Sequence, residues 1–240
     1  FIRGKVTFMK SIAFGTLKGG TGKTTSCFNL AGALALNPDN KILLVDGDPQ
    51  CNLTNDIGID CSDMERNNIR TIFENKKIDP SELIMHGVLE QLPNIDIIPS
   101  NILLIKTEMQ LVSIAEREKL LANYFERNKE FFSQYTHIIF DTNPNLGVIN
   151  QNIFYFVDSI ILVSDVSLNA IQGAELFTFL WEENIEDLGI DNNIKALIIN
   201  NFDKRINLAK DLQDYYLSEA EFKDILVEVP IPGSVAMKDT

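Results

Sequence analysis

The stretch Ser11-Ile12-Ala13-Phe14-Gly15-Thr16-Leu17-Lys18-Gly19-Gly20-Thr21-Gly22-Lys23-Thr24-Thr25 decides the fold. Its first five residues read as a strand that runs into a glycine-rich loop. Thr24 to Leu36 then reads as a helix, closed by Asn37-Pro38-Asp39. A strand, such a loop and a helix in that order build an anion site. Gly19, Gly20 and Gly22 let the backbone curl so that successive N–H groups point inward at phosphate oxygens. The helix start near Lys23 adds its positive dipole end to the same place. Lys23 is positioned to reach β- and γ-phosphates, and the Thr24 hydroxyl to ligate Mg²⁺.

Outward from this stretch, short apolar runs alternate with amphipathic ones. Lys41 to Asp46 is a second strand, whose unbroken apolar character predicts burial on both faces. Ile95 to Pro99 is a third, and Ser100 to Gln134 reads as one long or broken helix. His137 to Asp141 is a strand ending on a carboxylate. Ser159 to Val163 and Lys195 to Asn200 follow, separated by a helix over Ala170 to Leu188, and Ile225 to Pro230 is a last extended piece. Strands alternating with helices of this length imply parallel crossovers. The expected fold is therefore α/β, a mostly parallel sheet with helices on both faces. Ligands of such sheets bind at the carboxyl ends of the strands. The polar punctuation falls there: Lys18 to Thr25, Asp46 to Gln50, Asp141 to Asn145 and Asn200 to Arg205. Asp60 to Leu92 is less regular and reads as a lid or surface excursion, and the chain as a single domain.

Composition narrows the partners. With 240 residues, 45% hydrophobic and 23% charged, the chain can bury a sizeable core. A net charge of -13 argues against a broadly basic nucleic-acid-binding surface, though not against a local patch. Lys204-Arg205, with Lys195, Lys210 and Lys223 nearby in sequence, is the best candidate for one. Cys27, Cys51 and Cys61 lack metal-ligand spacing and read as reduced thiols. No apolar run reaches the roughly 18 residues of a membrane span. The expectation is a cytoplasmic protein without a membrane partner. His86 and His137 have no evident catalytic partner, and His137, at the mouth of an apolar strand, reads as structural. Tyr124-Phe125 with Phe131-Phe132 reads as core.

The usual phosphate-loop pattern would require glycine at Leu17; here Lys18 precedes a double glycine instead. This loop resembles the deviant Walker A loop, Lys-Gly-Gly-x-Gly-Lys-Thr, of the ParA/MinD family of P-loop ATPases. Asp46-Gly47-Asp48-Pro49-Gln50 is similar to that family's Asp-x-Asp-Pro-Gln segment and points toward ParA/Soj-type partition proteins. Tyr135 to Gly147 resembles its Walker B strand, with Asn143 where a proline is common. The resemblance runs from about Met9 to the end.

The resemblance implies ATP and Mg²⁺ as ligands, bound by Lys18, Gly19, Gly20, Thr21, Gly22, Lys23, Thr24 and Thr25. It implies that Asp48 orients the attacking water, and that Thr24, Asp46 and Asp141 serve the metal. An Asp-Pro turn opener is the plainer reading of Asp48. Lys18 is implied to reach a partner's phosphates across an ATP-bound homodimer; a lysine solvated at the loop rim is the alternative. Asn200, or its neighbour Asn201, is a candidate for the adenine edge. Lys18, Lys23 and Asp48 would carry the catalysis.

Three functions compete. The first is a plasmid or chromosome partition ATPase that binds DNA non-specifically and is stimulated by a ParB-like centromere-binding adaptor. The second is a ParA-like positioning or regulatory ATPase for another cargo, without DNA binding. The third is a metabolic ligase or metal-delivery ATPase, which would call for a substrate-binding insert or metal-binding cysteines. Family members often carry Ile-Pro-Arg where this chain has Ile231-Pro232-Gly233. They also usually continue beyond the strand near Val229. We therefore expect residues 1–8 to be an extension or vector-derived, and 9–240 to be the ATPase domain lacking a C-terminal helix.

Overall fold

The computed structural model describes residues 9–233. Six strands form one sheet in the order β3-β2-β4-β1-β5-β6, and each pairing given below is parallel. They are β1 (Lys10–Gly15), β2 (Ile42–Asp46), β3 (Ile95–Ile98), β4 (His137–Asp141), β5 (Ser159–Asp165) and β6 (Ile194–Asn200). The expected α/β class with a parallel sheet is what forms. The described chain divides into two compact units, one of residues 9–13, 24–143 and 147–158, the other of 14–23, 144–146 and 159–233.

In the first unit, β2 pairs with β3 on one side and β4 on the other, and β4 pairs with β1. Every residue of β2 and β3 is buried, so both faces are covered. Helix α1 (Lys23–Ala35) follows the glycine loop. Helices α2 (Asn52–Asp56) and α3 (Ile69–Glu74) lie between β2 and β3. α3 is started by a capping box: Asn68 accepts from the Arg70 N–H, and Thr71 Oγ1 accepts from the Asn68 N–H. The irregular excursion is tied back by an antiparallel bridge between Met85 and Ile97.

The helix expected over Ser100 to Gln134 is broken. It forms α4 (Leu104–Leu111), a 3-10 turn at Arg117–Lys119, α5 (Leu120–Arg127) and α6 (Lys129–Phe132). Glu116, left-handed at φ 52°, turns the chain between the first two pieces. The break lets the aromatic side chains converge. Phe125 stacks on Phe156 at 4.4 Å and lies 4.2 Å from Phe132. Tyr124, Phe125 and Phe132 are buried as core, as read from their spacing, whereas Phe131 is only half-buried. Helix α7 (Val148–Phe156), absent from the sequence reading, supplies Phe156.

In the second unit, β5 pairs with β6, and α8 (Ala170–Leu188) buries Ala174, Phe177, Thr178, Trp181 and Ile185 along one face. Leu176, on the same helix, faces solvent. Gly189 at φ 64° ends that helix. Helix α9 (Asn207–Ser218) was also not read from sequence. The last extended piece runs beside β6 through isolated bridges, Leu197 with Leu226 and Phe202 with Pro232, rather than as a full strand. The expectations for residues 1–8 and for a missing C-terminal helix lie outside the described residues.

Candidate functional site

The glycine loop lies in the second unit. Gly20 and Gly22 adopt φ of 73° and 91°, conformations that L side chains rarely adopt. A Cβ on Gly22 would stand 2.1 Å from Asn200 Nδ2. That same Nδ2 donates to the Thr21 carbonyl at 2.8 Å. Asn200, at the end of β6, therefore braces the loop directly. The Thr21 Oγ1 atom is buried and makes no hydrogen bond among the described residues. A buried hydroxyl without a partner, in a loop whose backbone turns through left-handed glycines, is what a bound phosphate would satisfy. Lys23 is also buried, at 7% exposure. Thr25, the third residue of α1, is exposed.

Lys18 Nζ lies 2.5 Å from Asp165 Oδ2 and 2.9 Å from Ser167 Oγ, so within this chain it is docked rather than solvated. Gly19 and Gly20 are open to solvent beside it. A small pocket beside the loop is lined by Lys18, Thr21, Asp165, Asn169 and Phe177.

The carboxylates lie in the first unit. Asp46 and Asp141 are register partners at the ends of β2 and β4. Thr24, the first residue after the loop's Lys23, donates its hydroxyl to Asp141 Oδ2 at 2.6 Å. Asp46 Oδ2 accepts from both the backbone N–H and the hydroxyl of Thr54, at 2.9 and 2.6 Å, and Oδ1 accepts from the Asp48 N–H at 3.0 Å. Burial pushes the Asp46 carboxyl up to about 6, against the lowering effect of the Thr54 and Asp48 hydrogen bonds. Asp48 is buried and accepts from the Gln50 N–H at 2.8 Å, which is the bond of an Asp-Pro turn opener. Gly47 is required by close approach: a Cβ there would meet Ile153 Cδ1 at 2.5 Å and the Asp141 carbonyl at 2.9 Å.

Among the described residues no group of three or more His, Cys, Asp or Glu could hold a metal by itself. The donor set of Thr24 with two carboxylates suits Mg²⁺, which keeps waters and takes substrate phosphate oxygens rather than a full protein cage. Asn143, standing where proline is common, is secured another way. Asn150 Nδ2 donates to its carbonyl at 2.9 Å and to its Oδ1 at 2.5 Å.

Sequence reasoning missed Thr54, Asn150, Asp165 and Ser167. Asp165 had a usable signal, since β5, like β2 and β4, ends an apolar run on aspartate. The other three had none. The candidate basic patch is weaker than its composition, because Arg205 is paired in bidentate fashion to Asp203, at 2.9 and 2.7 Å.

The fold and the phosphate loop define a P-loop NTPase of α/β type. The AAA_31 family model, an AAA domain, matches residues 9–195. The chain is 30% identical to the sporulation initiation inhibitor protein Soj of Bacillus subtilis over 230 residues, covering 96% of this chain and 87% of Soj. It is 29% identical to the chromosome partitioning protein ParA of Myxococcus xanthus over 239 residues, covering 99% and 80%. Among solved structures it is similar to a plasmid partition protein from Borrelia burgdorferi B31 bound to AMPPNP, with TM-score 0.78, 27% identity and coverage of 97% and 90%. The chain belongs to the AAA_31 family and is a ParA/MinD-type P-loop ATPase. The fold alone is also shared with apo McdA of Cyanothece, at TM-score 0.83 and 21% identity. No helix of the described residues is long and apolar enough to cross a membrane.

Proposed function

We propose that this chain binds Mg-ATP at the loop from Lys18 to Thr25, hydrolyses it slowly, and uses the nucleotide to pair two copies in a partition cycle. The observation that carries this reading is the loop itself: left-handed Gly20 and Gly22, the unpartnered Thr21 Oγ1, and Lys18 ahead of the glycines. The Borrelia structure, bound to AMPPNP, supports the ligand class. Lys23 would neutralise phosphate charge, while Thr24, Asp46 and Asp141 would hold Mg²⁺ or its waters. Mg²⁺ supplies charge neutralisation on the phosphate oxygens when bound. Asp48, held by its turn, would orient water. Asn200 remains our candidate for the adenine edge, supported by its position against Thr21. A ParB-like adaptor and non-specific DNA would be the partners, in the cytoplasm.

The second reading, a ParA-like positioning or regulatory ATPase that ignores DNA, has its own support. The net charge is -13, and the strongest basic candidate has its Arg205 neutralised by Asp203.

Sedimentation of the wild type and Asp48→Ala with Mg-ATP, each with and without a generic DNA duplex, tests both. An ATP-dependent dimer that carries DNA and persists longer in the variant supports partition. A dimer that ignores DNA supports the second reading. A monomer throughout overturns the pairing.

A further inference from the structure

Two thiols meet just beyond the Asp48 turn. Cys51, left-handed at φ 58°, precedes α2, and Cys61 lies in the loop that follows that helix. Both ends of this stretch are hooked to the same two residues after β3. The Ser100 N–H donates to Thr54 Oγ1 at 2.9 Å, and Asn101 Nδ2 donates to the Cys61 carbonyl at 3.0 Å. Between them the chain folds back through Gly58, left-handed at φ 86°, with the Ile59 N–H on the Thr54 carbonyl at 3.1 Å. The Cys51 and Cys61 side chains thereby come into hydrogen-bonding contact, both as free thiols. They differ in access. Cys51 is 1% exposed, with its thiol donating to the Pro49 carbonyl at 3.3 Å, whereas Cys61 is half-buried. Burial, then the Asp46 carboxylate, push the Cys51 thiol up to about 12, so alone it stays protonated and inert.

We propose that Cys51 and Cys61 form a peroxide-sensitive dithiol, and that their disulfide slows turnover by fixing the segment that carries Asp48. The part concerning turnover rests on the proposed function. Cys61, the accessible thiol, attacks a peroxide oxygen; the O–O bond breaks, water leaves, and the sulfur becomes a sulfenic acid. The Cys51 sulfur then attacks the Cys61 sulfur. The S–O bond breaks, and the departing hydroxide takes the Cys51 proton and leaves as water. Two thiols lose two electrons, and one hydrogen peroxide becomes two waters. The new bond closes the chain from Cys51 to Cys61 into a ring. Its effect reaches Asp48 directly, because the Cys51 N–H donates to the Asp48 carbonyl at 2.9 Å. In a reducing compartment the pair stays open until peroxide rises.

Two measurements on the full chain test this. The first treats the nucleotide-free protein with hydrogen peroxide, blocks remaining thiols with N-ethylmaleimide in denaturant, and maps peptides without reduction. The wild type should give a Cys51–Cys61 linked peptide within one chain, about 2 Da lighter than the free thiols and reversed by dithiothreitol. Cys27, fully buried, should remain open to the maleimide after denaturation. Cys61→Ser should slow loss of the Cys51 thiol by at least about tenfold. A Cys61 sulfinic acid beside a free Cys51, or a linkage between two chains, overturns the dithiol. The second is phosphate release with Mg-ATP before oxidation, after it, and after dithiothreitol. Oxidation should slow the wild type by roughly 3- to 10-fold, reversibly, and leave Cys61→Ser unaffected. Unchanged turnover in the linked protein overturns the effect on Asp48. If the reduced wild type releases no phosphate, the proposed function and the effect on turnover fail together, while the peptide map still decides the dithiol.

Discussion

Asn200 donates its amide to the Thr21 carbonyl at 2.8 Å and occupies the space that any Cβ on Gly22 would require. The two residues of this bond are 179 positions apart. The loop's shape therefore depends on a strand end that the loop's own sequence does not mention. Gly22→Ala meets both a left-handed φ of 91° and a contact of 2.1 Å. We expect it to cost about 1–3 kcal/mol in urea unfolding and to reduce binding of a fluorescent ATP analogue by at least about tenfold. Asn200→Ala leaves a carbonyl without its partner, and should cost about 1 kcal/mol.

Thr24 and Asp141 are joined at 2.6 Å beside the register pair of Asp46 and Asp141. Asp141→Asn keeps the shape and removes the charge. The Mg²⁺ concentration needed for half-maximal ATP binding should rise about 10- to 100-fold. Titration of Mg²⁺ at fixed ATP checks this; an unchanged midpoint would remove Asp141 from the metal site.

Asn150 is fully buried and clamps Asn143 through two acceptors. The clamp supplies stiffness that a proline would otherwise give at this position. Asn150→Ala should destabilise the protein by about 1–3 kcal/mol, and we expect turnover to fall as the segment after Asp141 loosens. Equilibrium urea unfolding measures the first effect and phosphate release the second.

Asp96 supplies a pH dependence away from the phosphate loop. Burial pushes its carboxyl up, but His86 Nδ1 at 2.9 Å, the Gly87 N–H at 2.9 Å and the Tyr135 hydroxyl at 2.7 Å together hold it below its ordinary value. A carboxyl depressed in the folded state contributes stability above the unfolded value of about 3.9, and loses it as pH falls through the folded one. Stability should therefore decline below about pH 4. Tyr135→Phe removes one stabilising donor and moves the folded-state value back toward the unfolded one, so the variant should lose about 1 kcal/mol at neutral pH and show a smaller acid decline. Urea unfolding at several pH values from 3 to 7 would show the reduced amplitude. An identical acid limb in the variant would place the acid sensitivity elsewhere.

Much of the molecule is written in short-range pattern. The order strand, glycine loop, helix from Ser11 to Leu36 depends on residues a few positions apart, as do the largely apolar runs that became β2, β4 and β6. For such segments, backbone conformation and burial are local properties of the chain, so sequence alone determined the α/β class, the phosphate loop and the aspartates ending β2 and β4. Helix α9 is legible too, since Ala209, Leu212 and Tyr216 recur at helical spacing and are buried. The break at Glu116 was not legible, because the stacking of Phe125 on Phe156 that accompanies it joins residues distant along the chain. The tertiary structure alone decided the partners: Asn200 for Thr21, Asp165 for Lys18, Thr54 for Asp46 and Asn150 for Asn143. A hydrogen bond needs its atoms within about 3 Å, and folding brings together residues whose separation along the chain carries no signal. The Lys18–Asp165 contact, across 147 positions, is set by where the end of β5 and the turn of the loop stand in the fold, neither of which Lys18 encodes.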